Sequence, residues 1–511
     1  LPESMLKKLL KEILSHKLVY FLLFIILSLG LFLRVHNIGR LLGFYFDQGR
    51  DALIIWDLWH FGNIPFIGPT TGIAGIFRGP FYYYLIAPFY LLGGGDPIYP
   101  SIFLSFTTIL AVLLIYYLGF KIHGRVAGLI AAIIAAFSFN IVMASRWLSN
   151  PTPMLLISML LVLAMLKVSE GKKNWWPVIA FVSGISLFHF GSSGEVFYFP
   201  ALIIFVISQR KNFPRKRLLI LTFILFFVTI LPLIAFDIKN KGLIIGNVKN
   251  FLFLNEGSFG LPPERNIGDK IDFLYDVFTN KIFNGRYVKE NIILAFIGFS
   301  FIYKLNKLIK VSGVKILILF LASGSLGIIF FQGNFGNIYD YYLTGYYLIF
   351  ILLFAISLGV IWQTKLGKLI VIYFIYFFIT NNANVLAYKL SDKVDGPFSV
   401  AFKNQKQAIN WTYLDANSEN FNVDVYVPPV IPYAYDYLFK WYPTSSRSAG
   451  LRGTSPKLVE NQVPLLYTLY EVDPPHPERL EAWLARQKGI GKVEYEEKFG
   501  GITVQRRKRI Q

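Results

Sequence analysis

The stretch "FYFDQGRDALIIWDLWHFG" (44–62) sets Asp47, Arg50 and Asp51 within five residues. Positions i, i+3 and i+4 share one face of a helix, so the three side chains would point the same way. A carboxylate beside a guanidinium suits an active site: one group takes a proton from a hydroxyl while the other holds an anion. The same spacing also suits a helix start, with Asp47 as N-cap, Asp51 near the positive end and Arg50 paired with either acid. Spacing alone leaves both readings open. Arg78 precedes "GPFYYYLIAP", where a cation among tyrosines would meet a lipid phosphate or snorkel to the interface. Arg146, Glu195 and His189 are further candidates, although a lone histidine is more often structural.

The six histidines are scattered without a His-x-x-x-His pair, and the chain has no cysteine. A tight all-protein metal site is therefore not expected, although a divalent ion is not excluded. No P-loop or dinucleotide-type glycine pattern appears at a strand–helix junction, which argues against a nucleotide-activated donor. No cofactor is expected beyond the substrate itself.

These residues must be held by a membrane protein. Of 511 residues 55% are hydrophobic and only 16% charged, against about a quarter charged in soluble domains. The net charge of +20 would suggest nucleic acid in a soluble chain, but here the basic residues gather at the ends of apolar runs. No nucleic-acid partner is expected. The first run lacks a small-residue cleavage site, so it reads as a span rather than a cleavable signal.

Spans are expected at 18–35, 98–120, 126–144, 152–167, 176–190, 194–209, 218–236, 291–304, 314–332, 341–361 and 368–388. The run 79–94 is short and broken by Pro88, and fits an interfacial or re-entrant segment. With the N-terminus in the cytoplasm, every inner segment is basic, from "KKLLKEILSHK" to "QTKLGK". The short segments opposite, "ASRWLSNP", "HFGSSGE" and "QGNFGNIYD", hold one arginine between them. That bias predicts N-in, C-out in the cell (plasma) membrane. It sends the polar candidates, the first outer loop (36–97), a partly ordered outer loop (237–290) with Asp237, and the tail to the extracytoplasmic side.

The fold expected is an all-α polytopic membrane protein of about eleven helices (1–390) carrying a small extracytoplasmic α/β domain (391–511). In that domain "VAFKNQKQAINWTYLDAN" and "IPYAYDYLFKWY" read as helices, "FNVDVYVP" as a strand and "KVEYEEKFGGITVQRR" as a hairpin.

The layout of 17–390 resembles the GT-C type lipid-linked glycosyltransferases, in particular the protein O-mannosyltransferase and aminoarabinose transferase group. The resemblance rests on "FDQGRDA", "RGPFYYYLIAPFYLLGGGDP", "GRVAGLIAAIIAAFSFNIVMASRWLSNP", "FHFGSSG" and "YDYYLTGYYLIF", in that order. It implies that Asp47 acts at the acceptor, with Arg50 and Ala52 matching the same Asp-Glu-x-Arg-Tyr-Ala type motif. Gln48 and Asp51 depart from that motif, and Asp51 could replace its second carboxylate. Arg78-Gly79-Pro80-Phe81 matches the segment whose cation approaches the lipid phosphate. Tyr341 and Tyr342 match a late tyrosine segment without its proline. Asn150 stands where an acid is frequent, and no catalytic role is carried to it.

The function implied is an inverting transfer of a sugar from polyprenyl phosphate to a hydroxyl of a protein, lipid or glycan. Asp47 and Asp51 would be catalytic, with Arg50, Arg78, Tyr341 and Tyr342 at the lipid phosphate. The run 81–90 would line the passage for the isoprenoid tail. A flippase for polyprenyl-linked sugar would need ionisable residues along its spans, and the candidates gather at one face instead. A ligase drawing on a lipid pyrophosphate shares the architecture and differs only in substrate.

Overall fold

A computed structural model describes residues 3–71, 75–253, 266–285, 288–330, 337–391, 396–428, 431–444 and 457–510. Among them, seven helices are long and apolar enough to cross a membrane, or eight if one bent pair is a single span. Each of the eleven expected spans has a helical counterpart. Three of these counterparts are short: Met154–Ser169, Trp176–Ile185 with the π-turn Ser186–Phe190, and the 3₁₀-turn Ser193–Phe197 leading into Tyr198–Ser208. The Asp340–Ile361 span lies at the centre of the bundle and Lys216–Lys239 at its edge. Leu18, Phe24, Phe223, Phe227 and Ile372 point outward in the open. So broad an apolar surface is stable only against lipid.

The bent pair shows how the bundle satisfies its backbone. Arg125–Phe137 and Phe139–Arg146 meet at 60°, which strips carbonyls of their intrahelical partners. Arg34, fully buried on the Lys17–Val35 helix, donates to Ala135 O and Ala136 O at 2.9 Å each. Across the break, Asn382 Oδ1 accepts from Phe139 N at 2.7 Å. Arg146 then closes the Lys17–Val35 helix, its Nη1 donating to Leu33, Arg34 and His36 carbonyls at 2.8–3.0 Å.

The tail carries a four-stranded sheet of β1 (Asn422–Tyr426), β2 (Leu465–Glu471), β3 (Gly491–Phe499) and β4 (Ile502–Arg509), ordered β1-β2-β4-β3. Only β1 and β2 run parallel, with Asn422 opposite Leu466. The expected helices form at Phe402–Ala416 and Tyr433–Trp441. The central strand β2 and the helix Pro477–Lys488 were not anticipated. The segment 237–290 is also more ordered than expected. Asp237 Oδ1 accepts from Ile244 N and so starts the Leu243–Phe253 helix. Ile267–Phe283 buries one face against the bundle. Most of the "LPPERN" breaker lies outside the described residues.

The tail grips the helix Phe46–Phe61, which carries the acidic–arginine cluster. Phe46 packs on Tyr433 with ring centroids 5.0 Å apart, and Gln405 Nε2 donates to Phe44 O at 2.8 Å. Gly49 makes the approach possible, since a Cβ there would lie 2.2 Å from Ala434 N. Helix propensity alone makes Gly49→Ala stabilising by roughly 1 kcal/mol; the backbone contact reverses the sign. Thermal unfolding should show a lower Tm for Gly49→Ala, together with slower turnover. An unchanged or higher Tm would mean that this contact is not closed in the native protein.

Candidate active site

The Phe46–Phe61 helix starts one residue before the expected cap. Tyr45 is the N-cap, and its N–H donates to Gln48 Oε1 at 3.1 Å. Asp47 is therefore not the cap but a first-turn side chain, half-exposed and free to face a cavity. Arg50 lies between the two acids, 2.8 Å from Asp47 Oδ1 and 2.8 Å from Asp51 Oδ1. Asp51 is buried, and the Tyr83 hydroxyl adds a third donor to the same Oδ1 at 3.0 Å. Asp57, six residues further on, pairs instead with Lys440 at 3.6 Å.

Gly and Pro breakers return the chain after this helix. Gly68 N donates to Arg78 O at 2.7 Å and Arg78 N to Pro69 O at 3.3 Å, in a hairpin-like turn bridged by Thr70 and Phe77. Asp47, Arg50, Asp51, Arg78 and Tyr341 thereby line one cavity of about 120 Å³, with Thr70, Trp147 and Asn150 in its wall. The volume is well below the roughly 300–1,000 Å³ of a site for a whole small ligand. It suits the charged group at a reacting bond.

The two arginines differ in a way the sequence does not show. Arg50 is already engaged by two carboxylates. Arg78 Nε is buried with no hydrogen-bond partner, and Arg78 makes no ion pair among the described residues. Burial pushes the Arg78 pKa down, and Glu195 is the foremost charge opposing that shift. A guanidinium N–H buried without an acceptor is costly unless a ligand completes it.

The other candidates hold this cavity rather than line it. His189 is fully buried; its Nε2 bonds Thr229 O at 2.6 Å and its Nδ1 accepts from Phe81 N at 3.3 Å. The carbonyl can only accept, so the proton sits on Nε2, and the ring anchors the turn after Arg78. Gly79 leaves room for that ring, since a Cβ would lie 2.0 Å from its Cε1. Glu195 accepts from Ser192 N at 2.6 Å and Gly345 N at 2.7 Å, tying its turn to the Thr344–Ile361 helix. Arg146 is a helix cap. Tyr342 is buried behind Tyr341, with ring centroids 5.0 Å apart, and is not part of the cavity lining.

Two supports were missed. Tyr83 lay in a run expected to line the isoprenoid passage. Its helix, Phe81–Leu92, buries Tyr82, Tyr83, Ile86 and Tyr90 in the protein core. Lys281 lay in the expected loop 237–290. Its Nζ reaches Asp340 Oδ2 at 2.6 Å and sits 4.2 Å from the Tyr347 ring centroid, fixing the residue before Tyr341. No sequence signal marks either partner, because each meets its acid only through tertiary structure. Among the described residues, no group of three His, Cys, Asp or Glu is placed to hold a metal.

Burial raises the Asp51 pKa to about 6, against the pull of Arg50 and the Tyr83 hydroxyl. Folding thus favours the neutral acid, a contribution complete below the ordinary 3.8 and lost as pH rises through about 6. Below about 6, Asp51 is neutral and no longer holds Arg50 by charge, so Arg50 is less firmly fixed beside Asp47. Turnover should therefore rise with pH and level off above about 6. Asp51→Asn fixes the neutral state and should run slowly without that limb. Paired pH–kcat profiles check this; a limb retained in Asp51→Asn would belong to another group.

Residues 78–236 match the family model described as dolichyl-phosphate-mannose-protein mannosyltransferase. No curated protein matches the sequence significantly. Among solved structures, the chain is similar to ArnT from Cupriavidus metallidurans in the apo state, with a TM-score of 0.60 at 8% identity over 96% of this chain and 98% of that one. The same protein bound to undecaprenyl phosphate gives 0.58 at 10% identity, with equal coverage. At such identity the likeness speaks for the fold. The chain has an ArnT-like polytopic helical fold.

Proposed function

We propose that this protein is an integral-membrane glycosyltransferase that moves a sugar, with inversion, from a polyprenyl-phosphate donor to an acceptor hydroxyl. One observation carries the reading: two carboxylates and an arginine whose buried Nε has no hydrogen-bond partner share a small cavity in a GT-C bundle. Undecaprenyl phosphate is the ligand of a similar structure, which supports the same class of donor here. Asp47 takes the acceptor proton as the acceptor oxygen bonds to the anomeric carbon. The carbon–oxygen bond to phosphate breaks, and the lipid phosphate leaves with the electron pair. Arg78 stabilises the charge that grows on it, and Tyr341 borders the same space. Asp51 keeps Arg50 fixed beside Asp47, so that Arg50 orients the base and reaches the phosphate only secondarily. The basic inner segments support an extracytoplasmic site in the cell membrane.

The test is to incubate the purified protein with a panel of polyprenyl-phosphate sugars and a hydroxyl acceptor, measuring released polyprenyl phosphate. One sugar should give acceptor-dependent release, and Asp47→Asn should lower its rate by about 10²–10⁴-fold. Movement of intact donor across vesicles without release would favour a flippase. Release from pyrophosphate donors alone would favour a ligase.

A further inference from the structure

Arg146 closes the Lys17–Val35 helix with one nitrogen only. Its Nη2 is buried and makes no hydrogen bond, and the residue is 8% exposed. It lines a cavity of about 490 Å³ between the end of the Lys365–Leu390 helix and the start of the tail, together with Tyr45, Tyr388, Lys389 and Phe398. No acidic side chain lines this cavity among the described residues. At Leu390 it adjoins a second cavity of about 350 Å³ between the Lys17–Val35 and Lys365–Leu390 helices. That trough is almost wholly apolar, floored by Leu33, Leu386 and the small residues Ala383 and Ala387, with His36 and Ser391 at its polar end. Neither cavity shares a lining residue with the catalytic one apart from sequence neighbours: Trp147, the residue after Arg146, lines the catalytic cavity.

We infer that this cleft binds an anionic bilayer lipid, with an acyl chain in the Ala383–Ala387 trough and the headgroup phosphate between Arg146 and Lys389. The charge arrangement selects this occupant. An apolar trough on a membrane span takes any lipid chain, but two cations, with no acid among the described lining residues, select a head that is negative. A planar guanidinium with an unused nitrogen suits phosphate oxygens. The site is distinct from the donor's, since its two cavities and the one holding Arg78 have no lining residue in common. A lipid held at Arg146 would brace Trp147, whose ring meets Tyr341 at 5.7 Å between centroids. The inference does not depend on the proposed transfer chemistry.

The test uses the full-length protein in micelles containing equal phosphatidylglycerol and phosphatidylcholine, with retained lipid counted by native mass spectrometry. Wild type should retain phosphatidylglycerol at least about fivefold over phosphatidylcholine. Arg146→Ala removes a helix cap and can unfold the protein, so two surface variants decide. Lys389→Glu should abolish the preference, and Ala383→Trp should reduce total retention at least about threefold, each with an unchanged Tm. Arg78→Ala should leave retention as in wild type. Equal retention of both lipids by wild type, insensitivity of either surface variant, or loss in Arg78→Ala would overturn the inference. The last result would place the lipid in the catalytic cavity.

Discussion

A guanidinium nitrogen held inside a protein without a hydrogen-bond partner, Arg78 Nε, is the constraint around which this structure is arranged. Arg78 could escape to water if its turn relaxed, and the molecule prevents that from three directions. Gly68 and Pro69 hold its backbone, His189 holds the residues after it, and Tyr341 lines the same cavity. Keeping a cation desolvated costs free energy that folding must offset. The return is a fixed positive charge in a low-dielectric place, which acts more strongly on a developing anion than any group in water.

The acids next to it follow the opposite logic. Asp51 is deeply buried and would revert to its neutral form without help. Arg50 and Tyr83 supply that help at one oxygen, which leaves Arg50 a rigid partner for Asp47. Removing Arg50 alone would leave a buried carboxylate uncompensated, at a cost of about 3–5 kcal/mol. The helix that carries all three groups is itself gripped by the tail. Gly49 against Ala434 and Phe46 against Tyr433 set its position to within side-chain contact distance. The sheet-bearing tail, far along the chain, thus positions residues near its start.

The candidate site residues were legible because charge is conspicuous in so apolar a chain, and because i, i+3, i+4 spacing survives in any helix. Long-range packing was not. Gly49 reads as a poor helix former until Ala434 lies against it. Nothing in the sequence ties Arg34 to the break it caps more than a hundred residues away. Asp47 looked like an N-cap because caps are commonly acidic, but the Tyr45 and Gln48 pairing starts the helix earlier. Strand β2, "LLYTLYE", is buried on both faces and so lacks the alternation that reveals an exposed-edge strand. His189 and Glu195 were recognised as polar residues in the right region, but only their backbone partners show that they support the cavity instead of lining it.

Everything in this account turns on whether Arg78 is the phosphate ligand. The direct measurement is the affinity for unmodified polyprenyl phosphate, titrated into wild type, Arg78→Lys and Arg78→Ala at matched Tm. Loss of a charged hydrogen bond of about 1.5–3 kcal/mol predicts at least about tenfold weaker binding for Arg78→Ala. Arg78→Lys should fall between, since it keeps the charge without the planar fork. Equal affinity in all three proteins would contradict the account and leave Arg78 as an interfacial anchor.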